Sequence, residues 1–429
     1  MRFRQKIMPQ SQIFAVLDIG TAKIVCLIAR IDQVFGDDDF EPVADQITIL
    51  GVGFKRSAGI KAGHVTDINA VEVAIRSTVS EAERMAGLSV DEVIVALSCG
   101  RLKSENFAAT ENIKNQTVTA DEIERVMTAG YEYATRQKKH VLHLNPISFS
   151  LDDNMSIRDP ENMIGNRLSV DMHSISGDEL PIQNVVHAVE RCHLNVVGLV
   201  ATPYASGLAA VSEDEANLGV TCIDIGHGTT SASIFMENHL IYVDVITLGS
   251  QQVTFDIARN LTTPIHEAER IKVLFGSVMS AESDNHELIT VPMVGGDQLE
   301  NSELTRAQLS TLIRPRFEEM IRVVFDRIDR GGFGCYTGNQ VVLTGGASQI
   351  PGLTELIGRM TGRSARIGRP RRIAGMPEQA GGPEYSAAVG SLLYPFQPHV
   401  TLGSWETGFL STPGEGYFAR VGNWLKDSF

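Results

Sequence analysis

Basic charge, cysteine and long apolar runs are all scarce in this sequence. The net charge of −15 argues against a general nucleic-acid-binding protein, which needs a basic surface to displace counterions. The five cysteines are odd in number and show no C-x-x-C spacing, so we expect reduced, mostly buried thiols of a cytosolic protein. No apolar run is long enough to span a bilayer, and the basic residues near the start precede no apolar core of a secretory signal.

The length and the apolar content indicate a soluble protein with more than one core. A chain of 429 residues with 43% hydrophobic residues exceeds one ordinary domain, so we expect at least two. Residues 1–10 are expected to form a short flexible arm in front of the first of them.

One short phrase occurs twice. Its copies are Asp18-Ile19-Gly20-Thr21 and Asp224-Ile225-Gly226-His227-Gly228-Thr229-Thr230. In each copy an apolar, β-rich run ends in Asp, and a second such run follows, which predicts a hairpin with a tight turn. Glycine lets backbone N–H groups approach a ligand, threonine adds a hydroxyl, and aspartate supplies a hard oxygen for Mg²⁺ or its waters. A single copy would be typical of a plain turn, whereas two copies favour a metal-bound polyphosphate held between two half-sites.

A third glycine turn strengthens this interpretation. Gly345, Gly346 and Ala347 follow the strand-like Val341 and Val342, and such turns are typical of phosphate sites. Asp18 and Asp224 are then the candidate metal-binding residues. The candidate phosphate-binding residues are Gly20, Thr21, Ala22, Lys23, Gly226, His227, Gly228, Thr229 and Thr230.

A polar stretch and a linker interrupt the rest of the sequence. Residues 88–166 are mostly polar after one apolar run, with one good helix from Thr119 to Tyr133, and we interpret them as an inserted subdomain. Residues 397–415 are rich in Pro, Gly, Ser and Thr, which is typical of a linker.

The C-terminal residues 416–429 are predicted to form an amphipathic helix. The apolar face spans an arc of about 140° on a helical wheel. It consists of Tyr417, Phe418, Val421, Trp424, Leu425 and Phe429. At about 21 Å this helix is too short to cross a hydrocarbon core of about 30 Å, so we expect it to lie in the membrane interface. The alternative is docking on the body as a core helix, but a flexible linker before the helix favours the membrane.

The three turns, in this order, are similar to the phosphate and adenosine motifs of the actin, Hsp70 and hexokinase superfamily. The closer resemblance is to the FtsA family of bacterial cell-division proteins, over almost the whole chain and including the amphipathic terminus. The other segments that carry it are Gly63-His64-Val65-Thr66-Asp67, Ala96-Leu97-Ser98, Ala188-Val189-Glu190-Arg191-Cys192, Glu269-Arg270-Ile271-Lys272, Pro315-Arg316-Phe317 and Val342-Leu343-Thr344-Gly345-Gly346-Ala347.

The resemblance implies an α/β, two-lobed actin-like ATPase fold with an inserted α+β subdomain. It implies ATP and Mg²⁺ between the lobes, with Asp18 and Asp224 facing the metal through water. Glu269 and Lys272 would lie near the ribose and adenine, with the third glycine turn closing that side; an exposed helix pair is the alternative. The implied boundaries are lobe I (11–87, 167–205 and 384–396), lobe II (206–244 and 305–383) with a smaller subdomain (245–304), and the inserted subdomain (88–166).

The resemblance also implies a function. Proteins of this family polymerise, bind the C-terminal peptide of the tubulin-like protein FtsZ, and tether that ring to the inner face of the cytoplasmic membrane at the division site. Recruitment of later division proteins through the inserted subdomain is implied as well. Arg306, Arg314 and Arg316 are candidates for meeting an acidic FtsZ peptide, with plain surface solvation as the alternative.

Two other functions belong to the same superfamily. A small-molecule kinase is the main alternative, although a kinase has no need of the tail. An Hsp70-like chaperone is disfavoured, because only a linker and a short helix follow the nucleotide fold.

Two residues depart from the family pattern. Gly198 aligns with a glutamine that orients water in actin, and glycine has no side chain for that task, so we expect at most weak ATPase activity. His227 stands where many relatives have glycine, which leaves less room at the turn but adds a hydrogen-bonding group.

Overall fold

The computed structural model describes residues 12–31, 46–136, 139–152, 154–294 and 301–397. The predicted N-terminal arm, the linker beyond residue 397 and the amphipathic helix with its candidate membrane-binding residues lie outside these ranges. Within them, no helix combines the length and the apolar character needed to span a bilayer.

Runs of strands are separated by helices along the described chain. The strands are β1 (Gln12–Ile19), β2 (Lys23–Ile31), β3 (Ile47–Arg56), β4 (Ile60–Lys61), β5 (His64–Val65), β6 (Glu92–Leu97), β7 (Lys103–Asn112), β8 (His140–Leu151), β9 (Asn154–Ile157), β10 (Arg167–Gly177), β11 (Asn195–Ala201), β12 (Val220–Ile225), β13 (Thr230–Met236), β14 (His239–Ile246), β15 (Leu288–Pro292), β16 (Asn301–Thr305), β17 (Gln340–Thr344) and β18 (Ser364–Ile367). The helices are α1 (Ile68–Ala86), α2 (Ala120–Thr135), α3 (Glu179–Glu190), α4 (Thr202–Ala210), α5 (Glu213–Leu218), α6 (Ser250–Leu261), α7 (Ile265–Phe275), α8 (Arg306–Arg330), α9 (Leu353–Thr361) and α10 (Ser386–Leu393).

One strand arrangement occurs in both large sheets. The five-stranded sheet has the order β11-β6-β1-β2-β3, and five neighbouring strands of the nine-stranded sheet have the order β18-β17-β12-β13-β14. In both, the central strand (β1 or β12) pairs in parallel on one side and forms an antiparallel hairpin on the other. Asp18 and Asp224 lie near the ends of these two central strands. The repeated phrase in the sequence therefore marks a repeated structural unit.

Helix α1 shows how the sequence sets an element's limits. The side chain of Asp67 accepts hydrogen bonds from the N–H groups of Asn69 and Ala70 and so caps the first turn. Gly87 ends the helix with a φ of 70°, a left-handed conformation that suits glycine. Both limits of α1 are thus set by residues next to it in the sequence.

The five-stranded sheet of lobe I is covered on both faces. Alternate residues of β1 separate the two cores, since side chains point to opposite faces along a strand. Leu17 and Ile19 face a cluster with α1 and α3. Phe14 and Val16 face a second cluster with α4 and α10.

Lobe II has its own core between its sheet and four helices. Strand β12 contributes Ile223 and Ile225, and α6, α7, α8 and α9 supply most of the remaining apolar side chains. The hairpin β15–β16 adds Ile289, Val291 and Leu304 at one end of this core.

The insertion packs helix α2 against β7, β8 and β10 around a separate core. The predicted boundaries of 88–166 differ from this unit at both ends. They include β6, which lies in lobe I because it is buried between β1 and β11. They exclude β10, which pairs with both β7 and β8.

The insertion also joins lobe II. Strand β7 extends the lobe II sheet next to β14, with Lys103 opposite Asp244. The Ser104 hydroxyl donates to the Val243 carbonyl at 3.0 Å and accepts from the Val243 N–H at 2.8 Å. The Asn106 side chain donates to a further β14 carbonyl at 3.0 Å. The insertion is thus covalently part of lobe I and hydrogen-bonded to lobe II.

Candidate functional site

The two copies of the repeated phrase fold into turns of the same geometry. The Gly20 N–H donates to the Lys23 carbonyl at 3.1 Å, and the Gly226 N–H donates to the Thr229 carbonyl at 2.9 Å. A Cβ on Gly20 would lie 2.8 Å from the oxygen of its partner, and a Cβ on Gly226 would lie 3.0 Å from its own. A Cβ would collide at Gly20 and would be tightly placed at Gly226, which favours glycine at both positions. Both predicted hairpins are confirmed.

The two turns lie against each other. A Cβ on Gly228, in the lobe II turn, would lie 2.6 Å from Oγ1 of Thr21 in the lobe I turn. The same Oγ1 accepts a hydrogen bond from the Gly63 N–H at 3.2 Å. The two half-sites therefore form one site at the junction of the lobes.

The third glycine turn packs against the second half-site. Thr344 is the in-register neighbour of Asp224 on the adjacent parallel strand. Gly345 follows with a φ of +83°, and a Cβ there would lie 2.2 Å from Oδ1 of Asp224. Its N–H donates to the Pro383 carbonyl at 3.1 Å. Only glycine allows this approach, both for space and for its backbone conformation.

A cavity of about 620 Å³ lies between the three turns. This volume is in the usual range for small-molecule and cofactor sites. The predicted site residues that line it are Asp18, Gly20, Thr21, Ala22, Lys23, Asp224, Gly226, His227, Gly228, Thr229, Glu269, Lys272, Gly345, Gly346 and Ala347.

Thr230 is the exception among the predicted phosphate-binding residues. Its side chain is buried, with Oγ1 3.6 Å from the sulfur of Met320 in the lobe II core. Because side chains alternate along a strand, the next residue, Ser231, lines the cavity instead. Thr230 is the first residue of β13, and the alternation of side chains from that residue onward is the sequence signal that would have identified Ser231.

Gly198 does not lie where the alignment with actin predicted. It lies within β11 opposite Ile94, and the nearest atoms to a Cβ there belong to the Ile94 side chain, at 3.6 Å. The cavity is instead lined by Thr202, directly after β11, and by Ser98, directly after β6. The prediction that Gly198 stands in place of a water-orienting side chain is therefore wrong. Parallel strands present the residues just beyond their carboxyl ends at the edge of the sheet. Thr202 and Ser98 were missed because finding them requires the exact ends of β11 and β6.

Asp18 and Asp224 face each other in a desolvated setting. Burial, and then the neighbouring Asp224 carboxylate, raise the pKa of Asp18 to about 7. Burial also raises the pKa of Asp224, although the Ser206 hydroxyl donates to its Oδ2 at 2.5 Å and opposes the shift. Two carboxylates that each resist ionisation mark a place where an added cation is stabilised.

Lys23 is the cation that the chain itself places there. Burial lowers its pKa to about 8, even though Glu384 and the two aspartates act in the opposite direction. Its Nζ lies 3.4 Å from the centroid of the Tyr385 ring, a cation–π contact that fixes the side chain at the cavity wall.

The carboxylate pair fits a hydrated Mg²⁺. In proteins Mg²⁺ often keeps several waters and takes one or two carboxylates together with substrate phosphates. Within the described ranges, no group of three or more His, Cys, Asp or Glu side chains is arranged to hold a metal ion. A metal here would therefore share its ligands with water and with the bound molecule.

Glu269 and Lys272 form a compact polar network with α6. Lys272 is 8% exposed, and its Nζ lies 2.7 Å from Oε2 of Glu269. Nζ also donates to the Thr254 hydroxyl at 3.0 Å and to the Ser250 carbonyl at 3.3 Å. Burial lowers the pKa of Lys272, and Glu269 opposes this shift. The alternative of an exposed helix pair is therefore wrong for Lys272.

Two family descriptions match the chain, and both name FtsA. The description "Cell division protein FtsA" matches residues 221–390, and "SHS2 domain inserted in FTSA" matches residues 99–176. The cell division protein FtsA of Agrobacterium fabrum is 43% identical over 423 residues, which cover 98% of this chain and 96% of the relative.

The chain belongs to the FtsA family. The FtsA of Escherichia coli is 32% identical over 421 residues, which cover 96% of this chain and 97% of the relative. The predicted family is thus confirmed, and the chain is an actin-like cell-division protein.

A solved structure supports the fold expected of an FtsA. The structure titled "PilM-PilN type IV pilus biogenesis complex" matches with a TM-score of 0.62 and 18% identity, and covers 90% of this chain and 99% of that chain. At this identity the match concerns the fold alone. The predicted two-lobed actin-like architecture with an inserted subdomain is confirmed.

The arginines predicted to meet an FtsZ peptide all have carboxylate partners within this chain. Arg316 Nε lies 2.8 Å from Asp256 Oδ2, and Arg316 also pairs with Glu319 at 2.6 Å. The other two pairs are Arg314 with Glu318 at 2.6 Å and Arg306 with Glu287 at 3.2 Å. An acidic peptide at this surface would have to compete with these pairs or add to them.

Proposed function

We propose that this chain binds ATP with Mg²⁺ in the cavity, polymerises, and tethers an FtsZ ring to the inner face of the cytoplasmic membrane at the division site. The observation that carries the proposal is the meeting of two glycine turns, one from each lobe, beside Asp18 and Asp224. Family membership supports the cell-division setting.

In this proposal the turns bind the polyphosphate. Backbone N–H groups in glycine turns are suited to anions, and Lys23 adds a cation held in place by Tyr385. Glu269 and Lys272 lie on the α6–α7 side, where we place the ribose and adenine, and Gly345 to Ala347 border the same cavity.

We propose that Asp18 and Asp224 hold Mg²⁺ through its water ligands. The metal would supply positive charge that neutralises both the phosphates and the two desolvated carboxylates. ATP would then act mainly as a switch of the polymer state. Thr202 and Ser98 line the cavity with hydroxyls, which are weaker general bases than a carboxylate or an imidazole, and we propose at most weak hydrolysis.

Membrane attachment is proposed for residues 416–429. Burial of about five apolar side chains contributes on the order of 10 kcal/mol before costs, and ordering the helix costs a similar amount. A single tail would therefore bind weakly and reversibly, whereas a filament with many tails would bind firmly through avidity. Polymerisation and membrane attachment would support each other in this way.

Two partner surfaces complete the proposal. The FtsZ C-terminal peptide would bind near Arg306, Arg314 and Arg316 by electrostatic complementarity. Later division proteins would bind the inserted subdomain, which has its own core.

The experiment is a calorimetric titration with ATP in the presence and absence of Mg²⁺. Asp224→Ala should lower the affinity for Mg·ATP by roughly tenfold or more, and the difference between titrations with and without Mg²⁺ should shrink. Glu355→Ala removes an exposed carboxylate on α9 and should titrate like the wild type. An Asp224→Ala titration that matches the wild type in both conditions would refute the metal role, and a wild type that binds no ATP would refute the site.

A further inference from the structure

A short loop after β18 carries three arginines within four residues. Arg369, Arg371 and Arg372 are all exposed, and we call residues 369–372 the basic loop. In the part of the chain that the structure describes, none of these three arginines takes part in an ion pair. The basic loop is therefore a local concentration of positive charge on a chain whose net charge is −15.

The backbone of the basic loop is held against the end of α4. The Arg371 N–H donates to the Ala209 carbonyl at 3.0 Å, and the Arg371 guanidinium donates to the Val211 carbonyl at 3.3 Å. A cation suits this place, because the last carbonyls of a helix carry partial negative charge. Directly after the loop, Ile373 is buried. Arg371 thus has a structural role, and the other two arginines are presented to solvent from a fixed backbone.

The basic loop is separate from the proposed nucleotide site. Among the described residues that line the cavity, none belongs to the loop. Just after the loop, Ala374 pairs with Thr48 at the start of β3. The cavity residue Lys23 lies beside Arg56, at the other end of β3. The length of this strand, roughly 26 Å for about eight residues, separates the two places, so the arginines need another function than nucleotide binding.

The C-terminal part of the chain leaves the body from the same apolar core that holds the basic loop. Ile373 belongs to the cluster that also contains Leu393 at the end of α10, and Phe396 packs against this cluster. From residue 397 onward the sequence predicts a linker of residues 397–415, and flexible linkers of that length span about 24 Å on average. A bilayer that binds the predicted C-terminal helix is therefore expected within reach of the basic loop.

An anionic lipid surface fits the basic loop better than a nucleic acid does. The headgroups of the cytoplasmic leaflet carry negative charge, and each Arg or Lys close to them strengthens binding roughly fivefold. A nucleic acid needs a larger basic surface than three arginines on an acidic chain. A weakly inserted apolar segment becomes a stable anchor when a basic patch adds a second attachment. The single C-terminal helix is such a weak attachment, so a second one has a clear use.

We propose that the basic loop binds the anionic headgroups of the bilayer and forms a second membrane contact beside the C-terminal helix. The inference rests on the proposed membrane attachment of residues 416–429. Guanidinium groups form paired hydrogen bonds with phosphate oxygens, which the headgroups supply. With the helix alone the body turns freely about its linker, whereas two contacts fix which side of lobe I faces the bilayer.

The test is co-sedimentation of the full chain with vesicles of phosphatidylcholine alone and of phosphatidylcholine mixed with anionic phosphatidylglycerol. Nucleotide is left out, so that avidity between subunits stays low. The double variant Arg369→Gln with Arg372→Gln should bind anionic vesicles roughly tenfold or more weakly and neutral vesicles less than about twofold more weakly. Arg371 is kept because it bonds to α4. The difference on anionic vesicles should shrink as the NaCl concentration rises, since salt screens the attraction.

Two further double variants are the controls. Arg369→Lys with Arg372→Lys keeps both charges and should retain most of the binding to anionic vesicles. Lys114→Gln with Arg136→Gln removes two exposed cations of the inserted subdomain and should bind both kinds of vesicle like the wild type. The second control has the same net charge as the glutamine variant of the basic loop, so it separates the place of the charges from their number.

The outcomes separate this inference from the proposal on which it rests. If the glutamine variant binds anionic vesicles like the wild type while Trp424→Glu binds neither kind, the C-terminal anchor stands and the second contact is overturned. An equal loss on neutral and anionic vesicles would also overturn it, because headgroup charge would then play no part. A glutamine variant that keeps vesicle binding but loses binding to single-stranded DNA would assign the loop to nucleic acid instead.

A wild type that binds neither kind of vesicle would overturn both the anchor and the second contact. If the double glutamine variant does not fold, Arg372→Gln alone is compared with the wild type. Its binding to anionic vesicles should fall by about fivefold, and unchanged binding would contradict the inference.

Discussion

The raised pKa of Asp18 indicates that the cavity is suited to a cation. It lies beside a second carboxylate, in a setting where burial and Asp224 together raise its pKa to about 7. A carboxyl with such a pKa destabilises the folded protein at neutral pH unless a cation is present. Two buried carboxylates without a cation lower the stability of the folded protein, and such perturbed carboxyl groups are typical of functional sites.

The first prediction concerns this cost. The folded-state pKa of Asp18 lies above its ordinary value of 3.8, so the folded chain holds this proton more tightly than the unfolded chain. Stability therefore falls as the pH rises from about 4 to about 7, and the loss is complete above that range. Asp18→Asn should raise the melting temperature of the nucleotide-free, metal-free protein by several degrees at pH 8 and by less at pH 5.

The measurement is thermal unfolding followed by circular dichroism at both pH values. Asp91→Asn, a change at an exposed carboxyl, should leave the melting temperature unchanged at both. If Asp18→Asn stabilises equally at pH 5 and pH 8, the gain has another cause than the removal of a buried charge.

At the residue scale the sequence predicts best what the backbone itself demands. Gly20, Gly226 and Gly345 were found because they stand in the repeated phrase and in the third glycine turn, and in the structure a Cβ at each would lie 3.0 Å or less from a neighbouring oxygen. Ser231 and Thr202 were missed, since their roles depend on where a strand begins or ends. A shift of one residue moves a side chain to the other face of a sheet. For that reason the side chain of Thr230 does not line the cavity, whereas its neighbours Thr229 and Ser231 do.

At the scale of elements, helices α4 and α10 of lobe I approach each other closely. Both begin at the cavity, where Thr202 and Ala387 line it. A Cβ on Gly390 of α10 would lie 1.7 Å from the carbonyl oxygen of Ala205 in α4. This glycine lets the two helices pack backbone to backbone between the site and the rest of the lobe.

The second prediction follows from that contact. Gly390→Ala should destabilise the protein by about 2–3 kcal/mol or more, because the neighbouring atom is backbone and the helices must separate. Chemical unfolding of the wild type and the variant measures the difference. In Gly358→Ala, on α9, the nearest atom to the new Cβ would be 3.5 Å away, and this control should be neutral or stabilise by up to about 1 kcal/mol. Equal stabilities of the two variants would contradict the packing argument.

The third prediction concerns the C-terminal helix, which lies outside the described residues. Trp424→Glu places a charge in the middle of the predicted apolar face and should abolish co-sedimentation of the assembled protein with liposomes while ATP binding survives. Asn423→Glu puts the same charge on the predicted polar face and should cause a much smaller loss. Equal lipid binding by Trp424→Glu and the wild type would refute the anchor.

Elements were easier to predict than the sheets to which they belong. The hairpins and α1 follow from local patterns and caps. The boundaries of the insertion do not follow from local patterns. Both β6 and β10 are recognisable as strands, but the strands with which each pairs are remote in sequence. The five apolar residues from Val93 to Leu97 are typical of a central strand buried on both faces. In β10 apolar and polar residues alternate, which is typical of one half-exposed face.

At the scale of the whole molecule, the cavity lies where the two repeated units meet. Lobe I and lobe II each contribute one hairpin turn and one aspartate, and the insertion continues the lobe II sheet through β7 and β14. A ligand that draws the two turns together would therefore act on both lobes and on the insertion. Nucleotide state, polymer contacts and the inserted subdomain are linked by this architecture in our proposal.

The most direct test is electron microscopy of the full-length protein on a lipid monolayer with ATP and Mg²⁺. We predict filaments that lie on the lipid for the wild type, far fewer filaments without nucleotide, and a bare monolayer for Trp424→Glu. A wild-type protein that binds ATP but leaves the monolayer free of filaments would contradict the account.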